Sequence, residues 1–155
     1  MAVARKDPYK SSKFRVEWAG IQHAGFQKVS GLNRTSEEIT YREGPDEMTF
    51  RKQPGLTTYD DITLERGIMP TGNTELWDWL SLVDEFGVEG SPVEPEYKKD
   101  IAIVLLDKDG SEVRKWEVYR TWISGYSLGD FDATANDVLI KTITLKNEGF
   151  KEVIP

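Results

Sequence analysis

The sequence predicts a mainly β domain of the α+β class: an antiparallel β-barrel or sandwich with one α-helix packed on it. Three observations carry this reading. Several short runs alternate apolar and polar residues, the period of two that turns one face of a strand to the core. One run, Ile101 to Leu106, is apolar throughout and reads as a strand covered on both faces. One segment, Thr74 to Phe86, has its apolar residues at three- and four-residue spacing, the signature of an amphipathic helix. The 155 residues fit a single domain, 1–155, large enough to bury a core of its own.

Residues 1–12 are polar and read as a flexible N-terminal arm. Lys13 to Trp18 then alternates strictly, with Phe14, Val16 and Trp18 on one face. Ala19-Gly20 reads as a turn, and Ile21 to Val29 as the return strand, ended by Ser30-Gly31. Glu37 to Arg42 is a further strand with Ile39 and Tyr41 inward. Gly44-Pro45-Asp46 and Gln53-Pro54-Gly55 break the chain on either side of a short alternating piece, Met48 to Lys52, so that 43–60 reads as one long loop. Asp61 to Arg66 alternates again, with Ile62 and Leu64 inward.

The helix has its stripe in Leu76, Trp79, Leu80, Val83 and Phe86, with Asn73 or Thr74 as its cap, Glu75 at its positive end and Gly87 at its close. Trp77 falls off the stripe, over a core edge or toward a neighbour. Residues 87–100 are an acidic Gly/Pro loop. Asp107-Lys108-Asp109-Gly110 is a hairpin turn after the apolar run. Val113 to Tyr126 returns as one or two strands, Gly129 to Asn136 is a turn region, and Asp137 to Lys146 is the last long strand, closed by Glu148-Gly149. The total is seven or eight strands and one helix.

Composition excludes several chemistries. With no cysteine there is no disulfide scaffold, no Cys-ligated zinc and no thiol catalysis. The one histidine, His23, leaves no zinc ligand set and reads as structural. A net charge of −7 gives no general field for phosphate backbones, although Arg51-Lys52 and Lys98-Lys99 are local basic pairs. No apolar stretch reaches bilayer-spanning length, and no apolar segment follows the charged N-terminus to make a Sec-type signal peptide, so folding in the cytoplasm is expected. Asp107-x-Asp109-Gly110 with Glu112 starts like a calcium loop without completing its spacing. The acidic pairs Glu37-Glu38, Asp46-Glu47 and Asp60-Asp61 read as solvated surface rather than a glycosidase pair. The five tryptophans suit core and interface roles better than a sugar-binding platform. No catalytic, cofactor-binding or metal residue is assigned, and the protein is expected not to be an enzyme.

An ordered series of segments resembles one family. Asp7-Pro8-Tyr9-Lys10 leads into Phe14-Arg15-Val16-Glu17, followed by Gly25-Phe26-Gln27-Lys28-Val29-Ser30-Gly31-Leu32 and Tyr41-Arg42-Glu43-Gly44. Arg51-Lys52-Gln53-Pro54-Gly55-Leu56, Ile62-Thr63-Leu64-Glu65-Arg66-Gly67 and Thr74-Glu75-Leu76-Trp77-Asp78-Trp79 come next. Ile103-Val104-Leu105-Leu106-Asp107, Asn136-Asp137-Val138 and Glu148-Gly149 complete the set. From about Asp7 to Phe150 the chain resembles the tail tube proteins of contractile phages and extracellular contractile injection systems.

The resemblance implies a structural inner-tube subunit with a fold shared with the ring protein of type VI secretion. It implies six-subunit rings, strands joined into one barrel around a lumen, and rings stacked into a hollow tube that sheath contraction drives through a target envelope. Implied partners are the homo-hexamer, the stacked rings, the sheath protein, baseplate and tube-initiating proteins, and a lumenal protein cargo. No direct nucleic-acid or lipid binding and no cofactor is implied. Assembly in the cytoplasm into a phage-tail-like particle follows. The loop from Glu43 to Tyr59 reaches the next ring, which makes Glu43, Met48, Phe50, Arg51, Lys52, Pro54, Gly55 and Leu56 the ring-stacking candidates. The alternatives are a secreted type VI-like ring protein that chaperones effectors, and a stand-alone carbohydrate-binding β module.

Overall fold

A computed structural model describes residues 7–18, 21–23, 26–41, 44, 51–68, 74–86 and 97–154. In chain order the elements are β1 (Phe14–Trp18), β2 (Ile21–His23), β3 (Phe26–Ser30), β4 (Arg34–Tyr41), β5 (Arg51–Tyr59), β6 (Ile62–Gly67), α1 (Glu75–Phe86), β7 (Lys99–Leu106), β8 (Glu112–Leu128), β9 (Ile140–Lys146) and β10 (Phe150–Val153). Eight strands form one antiparallel sheet in the order β2-β1-β7-β8-β9-β6-β3, with β10 also on β8. β4 and β5 pair only with each other. The mainly antiparallel β class with one helix therefore holds.

β8 is where the sheet turns into two walls. Its first part pairs with β7 from Glu112 to Thr121 and with β10 through Lys115 to Val118. Its last part, Trp122 to Leu128, pairs with β9. Between them Arg120 takes a left-handed φ of 50°, a conformation that is uncommon for a non-glycine residue. Asp100 Oδ1 accepts the Arg120 N–H at 2.9 Å, and the buried Thr121 hydroxyl donates to the Lys99 carbonyl, so the corner is held by side chains. The expected one or two strands over 113–126 are thus one bent strand serving both walls.

The five-strand wall (β10, first half of β8, β7, β1, β2) turns Val16, Trp18, Ile101, Ile103 and Val118 inward. The four-strand wall (second half of β8, β9, β6, β3) turns Phe26, Ile62, Leu64, Ile123, Ile143 and Leu145 inward. The helix adds Leu76 and Trp79 to this core. The Trp79 ring lies 5.7 Å from Trp18, and its Nε1–H donates to the Tyr97 carbonyl at 2.6 Å, which satisfies the indole while it is buried. Of the predicted stripe, Leu80 and Val83 are half-buried; Phe86 closes the helix. Thr74 stands at the helix start, its carbonyl accepting the Asp78 N–H at 2.9 Å.

The apolar run in β7 is covered on both faces over Ile101–Val104, while Leu105 and Leu106 are only half-buried, and its second cover is not another layer. Val104 is flanked in register by Arg15 and Lys115, and Ala102 by Glu17 and Glu117. The ion pairs Arg15–Glu17 at 2.7 Å and Lys115–Glu117 at 3.8 Å run along β1 and β8 on either side of these buried residues.

Several expectations need correction. The described residues hold ten strands rather than seven or eight. β4 runs from Arg34 to Tyr41, and Ile39 does not turn inward but keeps 52% of its surface in solvent, because the ribbon has no second layer to bury it. The return strand over 21–29 is two strands that separate, β2 pairing with β1 and β3 with β6. The chain does not break at Gln53-Pro54-Gly55: β5 runs through all three residues, so 51–59 is strand rather than loop. Pro54 is tolerated because β5 is an edge strand, and Gly55 leaves room for Ile39, whose Cγ1 would lie 3.0 Å from an added Cβ. The last long strand begins at Ile140, and a further strand, β10, follows Gly149. The Ala19-Gly20 turn, the Asn73 and Gly87 caps and residues 87–96 of the acidic loop lie outside the described residues.

Candidate functional site

A two-stranded ribbon has no second layer in which to bury a face, so on its own it is marginal. The β4–β5 ribbon projects in this way. Nearly all of β4 is exposed, with Ile39 at 52%, and on β5 Leu56 keeps 68% of its surface in solvent. Its own links are polar: the Ser36 and Thr57 hydroxyls meet at 2.9 Å, Gln53 Nε2 donates to the Tyr41 hydroxyl at 3.3 Å, and Lys52 pairs with Glu38 at 3.6 Å. At about 3.3 Å per residue, β5 reaches about 30 Å.

The root of the ribbon, by contrast, is tightly tied. Gly31 has φ 94°, and a Cβ there would fall 2.1 Å from the Asp61 carbonyl oxygen, so only glycine fits. Asn33 Nδ2 donates to Asp60 Oδ2 at 3.1 Å, Asn147 Nδ2 donates to the Asp60 carbonyl at 2.9 Å, and Lys146 pairs with Asp61 at 2.7 Å. The Tyr59 ring packs edge to face on Phe150 at 5.4 Å. Gly149, with φ 140°, brings its backbone against that tyrosine; an added Cβ would sit 3.3 Å from the ring. These contacts give the ribbon a fixed mount. Asp60 and Asp61, one of the acidic pairs, serve this mount.

The four-strand wall supplies the second surface. Among the described residues β3 pairs only with β6, and the Trp122–Leu128 half of β8 only with β9. Both edges of this wall are therefore open, an arrangement that invites pairing with another chain. Apolar side chains fringe the β8 edge and the strand ends beside it. Trp77 is 55% exposed and stacks edge to face on Tyr126 at 5.4 Å, with Leu128, Phe131 and Val138 also exposed.

On the inner side of the wall, Arg66 and Lys141 are buried side by side, with Glu75 of the helix 2.9 Å from Arg66 Nη1. The Arg66 guanidinium also lies over the Phe26 ring at 5.1 Å. Burial, and then the Arg66 charge, hold the Lys141 ammonium below the usual lysine pKa, while Glu75 acts the other way. This cluster fastens the helix N-terminus to the wall.

Among the described residues no group of three or more His, Asp or Glu could hold a metal ion. The Asp109 carboxylate accepts from the Ser111 N–H at 2.9 Å and from its hydroxyl at 2.6 Å, bonds that hold its pKa below the usual value, so the calcium-like sequence is a hairpin turn. Trp18 and Trp79 are buried in the core, Trp122 stacks on Tyr97, and Trp77 is exposed on the helix against Tyr126, so these four do not line one surface. The His23 side chain lies outside the described residues.

Residues 10–151 match the family described as T4-like virus tail tube protein gp19. The chain belongs to this tail tube family. The tail tube protein is also similar to a chain of the anti-feeding prophage cap, the AFP tube terminating cap, at 27% identity and TM-score 0.81, over 100% of this chain and 97% of that one. It is similar to a chain of the PVC sheath-tube complex, an extracellular contractile injection system in its extended state, at 30% identity and TM-score 0.78, over 96% and 93%. The PVC sheath/tube terminator gives 31% identity and TM-score 0.79, over 97% and 99%. Hcp1 from Flavobacterium johnsoniae, at 17% identity and TM-score 0.51, shares the fold. No curated protein matches the sequence. These likenesses fit a structural subunit of a contractile injection tube better than a type VI-like ring protein. No helix of the tail tube protein is long and apolar enough, among the described residues, to cross a membrane.

Of the ring-stacking candidates, Arg51, Lys52, Pro54, Gly55 and Leu56 stand together on the exposed β5, whereas Glu43, Met48 and Phe50 lie outside the described residues. Sequence reasoning missed the open edges of the four-strand wall and the Tyr59–Phe150 mount. The glycines at 31 and 149 were the available signals for the mount; the edges left none, because pairing partners are set by topology.

Proposed function

We propose that this tail tube protein closes into six-membered rings through the two open edges of its four-strand wall, and that the β4–β5 ribbon carries the contact between stacked rings. Strand direction is the observation that carries the reading. Neighbouring strands of the wall all run antiparallel, and there are four of them. With an even number, rotating a copy about a ring axis sets its β3 antiparallel to the neighbour's β8, so the sheet continues without a change of pattern. The five-strand wall would meet its neighbour parallel, and its edges, β2 and β10, are three and four residues long. Short edges are a common means of discouraging pairing. The number six rests on the family likeness.

Leu56 and Ile39 on the ribbon are the apolar contacts for the next ring, with Arg51, Lys52, Pro54 and Gly55 beside them, and Glu43, Met48 and Phe50 are candidates for the same contact. Likeness to the PVC sheath-tube chain supports a sheath around the tube, and baseplate proteins, tube-initiating proteins and a lumenal cargo complete the set of partners. The work is mechanical: the tube is pushed, and no bond is made or broken. Assembly takes place in the cytoplasm, with the finished tube part of a phage-tail-like particle.

The chain has no native cysteine, so edge closure is testable by crosslinking. Lys28→Cys/Ser127→Cys protein, treated with a short bifunctional maleimide, is expected to give a ladder of multimers ending at six, with six-fold rings in negative-stain micrographs. Rings that yield no crosslink across those positions overturn edge closure. Deleting 46–56 is expected to leave a folded protein whose rings do not stack; tubes of normal length overturn the role of the ribbon.

A further inference from the structure

Ring closure turns the outer face of the four-strand wall toward the bore, and we propose that in this chain that face is a hydroxyl-rich, charge-balanced surface fitted to pass polypeptide of either charge. The inference rests on ring closure through the wall's edges. In that ring the core, the helix and the five-strand wall lie on one side of the joined sheet, and the opposite face is turned toward the axis.

The register places that face in rows. Lys28, Glu65, Thr142 and Ser127 form one, and Ser30, Thr63, Thr144 and Gly125 the next. The first row carries one positive and one negative charge in adjacent positions. Beyond the second row, Lys146 is neutralised by Asp61 at 2.7 Å. Ile140, opposite Gly67, is the one aliphatic side chain in register with the face. The other side chains of the two rows are short hydroxyls or hydrogen; Ser124 adds another, donating to the Thr144 carbonyl at 3.3 Å. The chain as a whole carries −7, yet the face carries two cations and two anions. The acidic excess sits elsewhere, with Asp78, Asp84 and Glu85 on the helix and Asp130, Asp132 and Asp137 between β8 and β9.

Each absence on this face points the same way. A nucleic-acid strand needs unpaired cations for its phosphates and aromatic faces for its bases. Here the cations are matched by anions, and the one aromatic in register with the face, Trp122 opposite Lys146, stacks on Tyr97. A wall of one sign would concentrate cargo of the other sign and hold it. An apolar wall would grip unfolded chain by its side chains. Solvated threonines and serines do neither, so a polypeptide slides past whatever its net charge.

The test uses assembled, open-ended tubes at low salt and four fluorescent probes: a Lys-rich, a Glu-rich and a Gly/Ser peptide of equal length, and an oligo-dT strand. Wild-type tubes are expected to take up the three peptides to within about twofold of one another and to retain none of the four. Thr142→Lys/Thr144→Lys tubes are expected to retain the Glu-rich peptide and oligo-dT at least about tenfold more, and Thr142→Asp/Thr144→Asp tubes the Lys-rich peptide, as a one-signed wall requires. A wild-type preference of about tenfold for one peptide, or for oligo-dT, overturns the proposal. Should the double variants not assemble, Thr63→Cys tubes decide. A small maleimide is expected to label them, and the same maleimide carried on a protein wider than the bore is expected not to. Equal labelling by both places Thr63 outside the bore and overturns the proposal. Wild-type protein that forms no rings overturns ring closure instead.

Discussion

Tyr59 and Phe150 meet edge to face at 5.4 Å, and this contact joins the last residue of the projecting ribbon to the first residue of the last strand. Through it the ribbon is anchored to β10, and through β10 to the bent strand of the core. Tyr59→Ala and Phe150→Ala are each expected to cost about 1–2 kcal/mol in denaturant unfolding, less than a fully buried aromatic because both rings are half-exposed. A double-mutant cycle should return a coupling of about 0.5–1.5 kcal/mol. Single variants that fold with wild-type stability, and show no coupling, would remove the mount.

Two glycines with similar φ separate backbone strain from steric room. Gly31 (φ 94°) faces the Asp61 carbonyl, whereas Gly110 (φ 89°) faces open space. Gly110→Ala is expected to lose about 1 kcal/mol through the left-handed conformation alone. Gly31→Ala must also move the Asp61 backbone, and its loss should exceed about 3 kcal/mol, read as a lower thermal midpoint and a shifted hairpin root by NMR. Equal losses at the two sites would contradict the crowding.

Leu56→Asp and Ile39→Asp place a charge on surface that is already solvated in the single chain. Unfolding free energy is expected to stay within about 0.5 kcal/mol of wild type. Stacking of rings, scored as tube length by electron microscopy, is expected to fail. A variant that stacks normally would show that the ribbon's apolar residues face solvent in the tube as well.

The Arg66–Lys141–Glu75 cluster makes stability depend on pH in the alkaline range. Because burial and Arg66 lower the Lys141 pKa in the folded state, the unfolded chain binds more protons between the folded value and the ordinary 10.5. Stability contributed by this group therefore rises with pH through that window, and the charged lysine is a cost below it. Lys141→Met is expected to raise stability at neutral pH by about 1 kcal/mol and to flatten the alkaline rise. Glu75→Gln leaves two buried cations without their carboxylate and is expected to lose about 3 kcal/mol. Denaturant titrations at several pH values check both signs.

Much of this was legible because it is written locally. The alternation at Phe14, Val16 and Trp18, at Ile62 and Leu64, and the stripe at Leu76 and Trp79 depend on which residue follows which. The solvent then selects the face, since burying one apolar face is the largest favourable term available to each segment. The ordered segments from Asp7 to Phe150 likewise carried the family. Pro54 and Gly55 misled, because a break signal in isolation becomes an edge strand when β4 lies on one side only and Ile39 needs the space.

The sequence by itself thus determined the class of fold, the one helix, the faces of most strands and the tail tube family, all of them consequences of hydrophobic period and local order. Only the tertiary structure decided that β8 turns at Arg120 to serve two walls, that β3 leaves β2 to pair with β6, and that four antiparallel strands end in two open edges. Those outcomes depend on contacts between residues far apart in the chain, whose backbone hydrogen bonds are chemically alike, so register and partner are chosen by packing around the shared core rather than by any local signal.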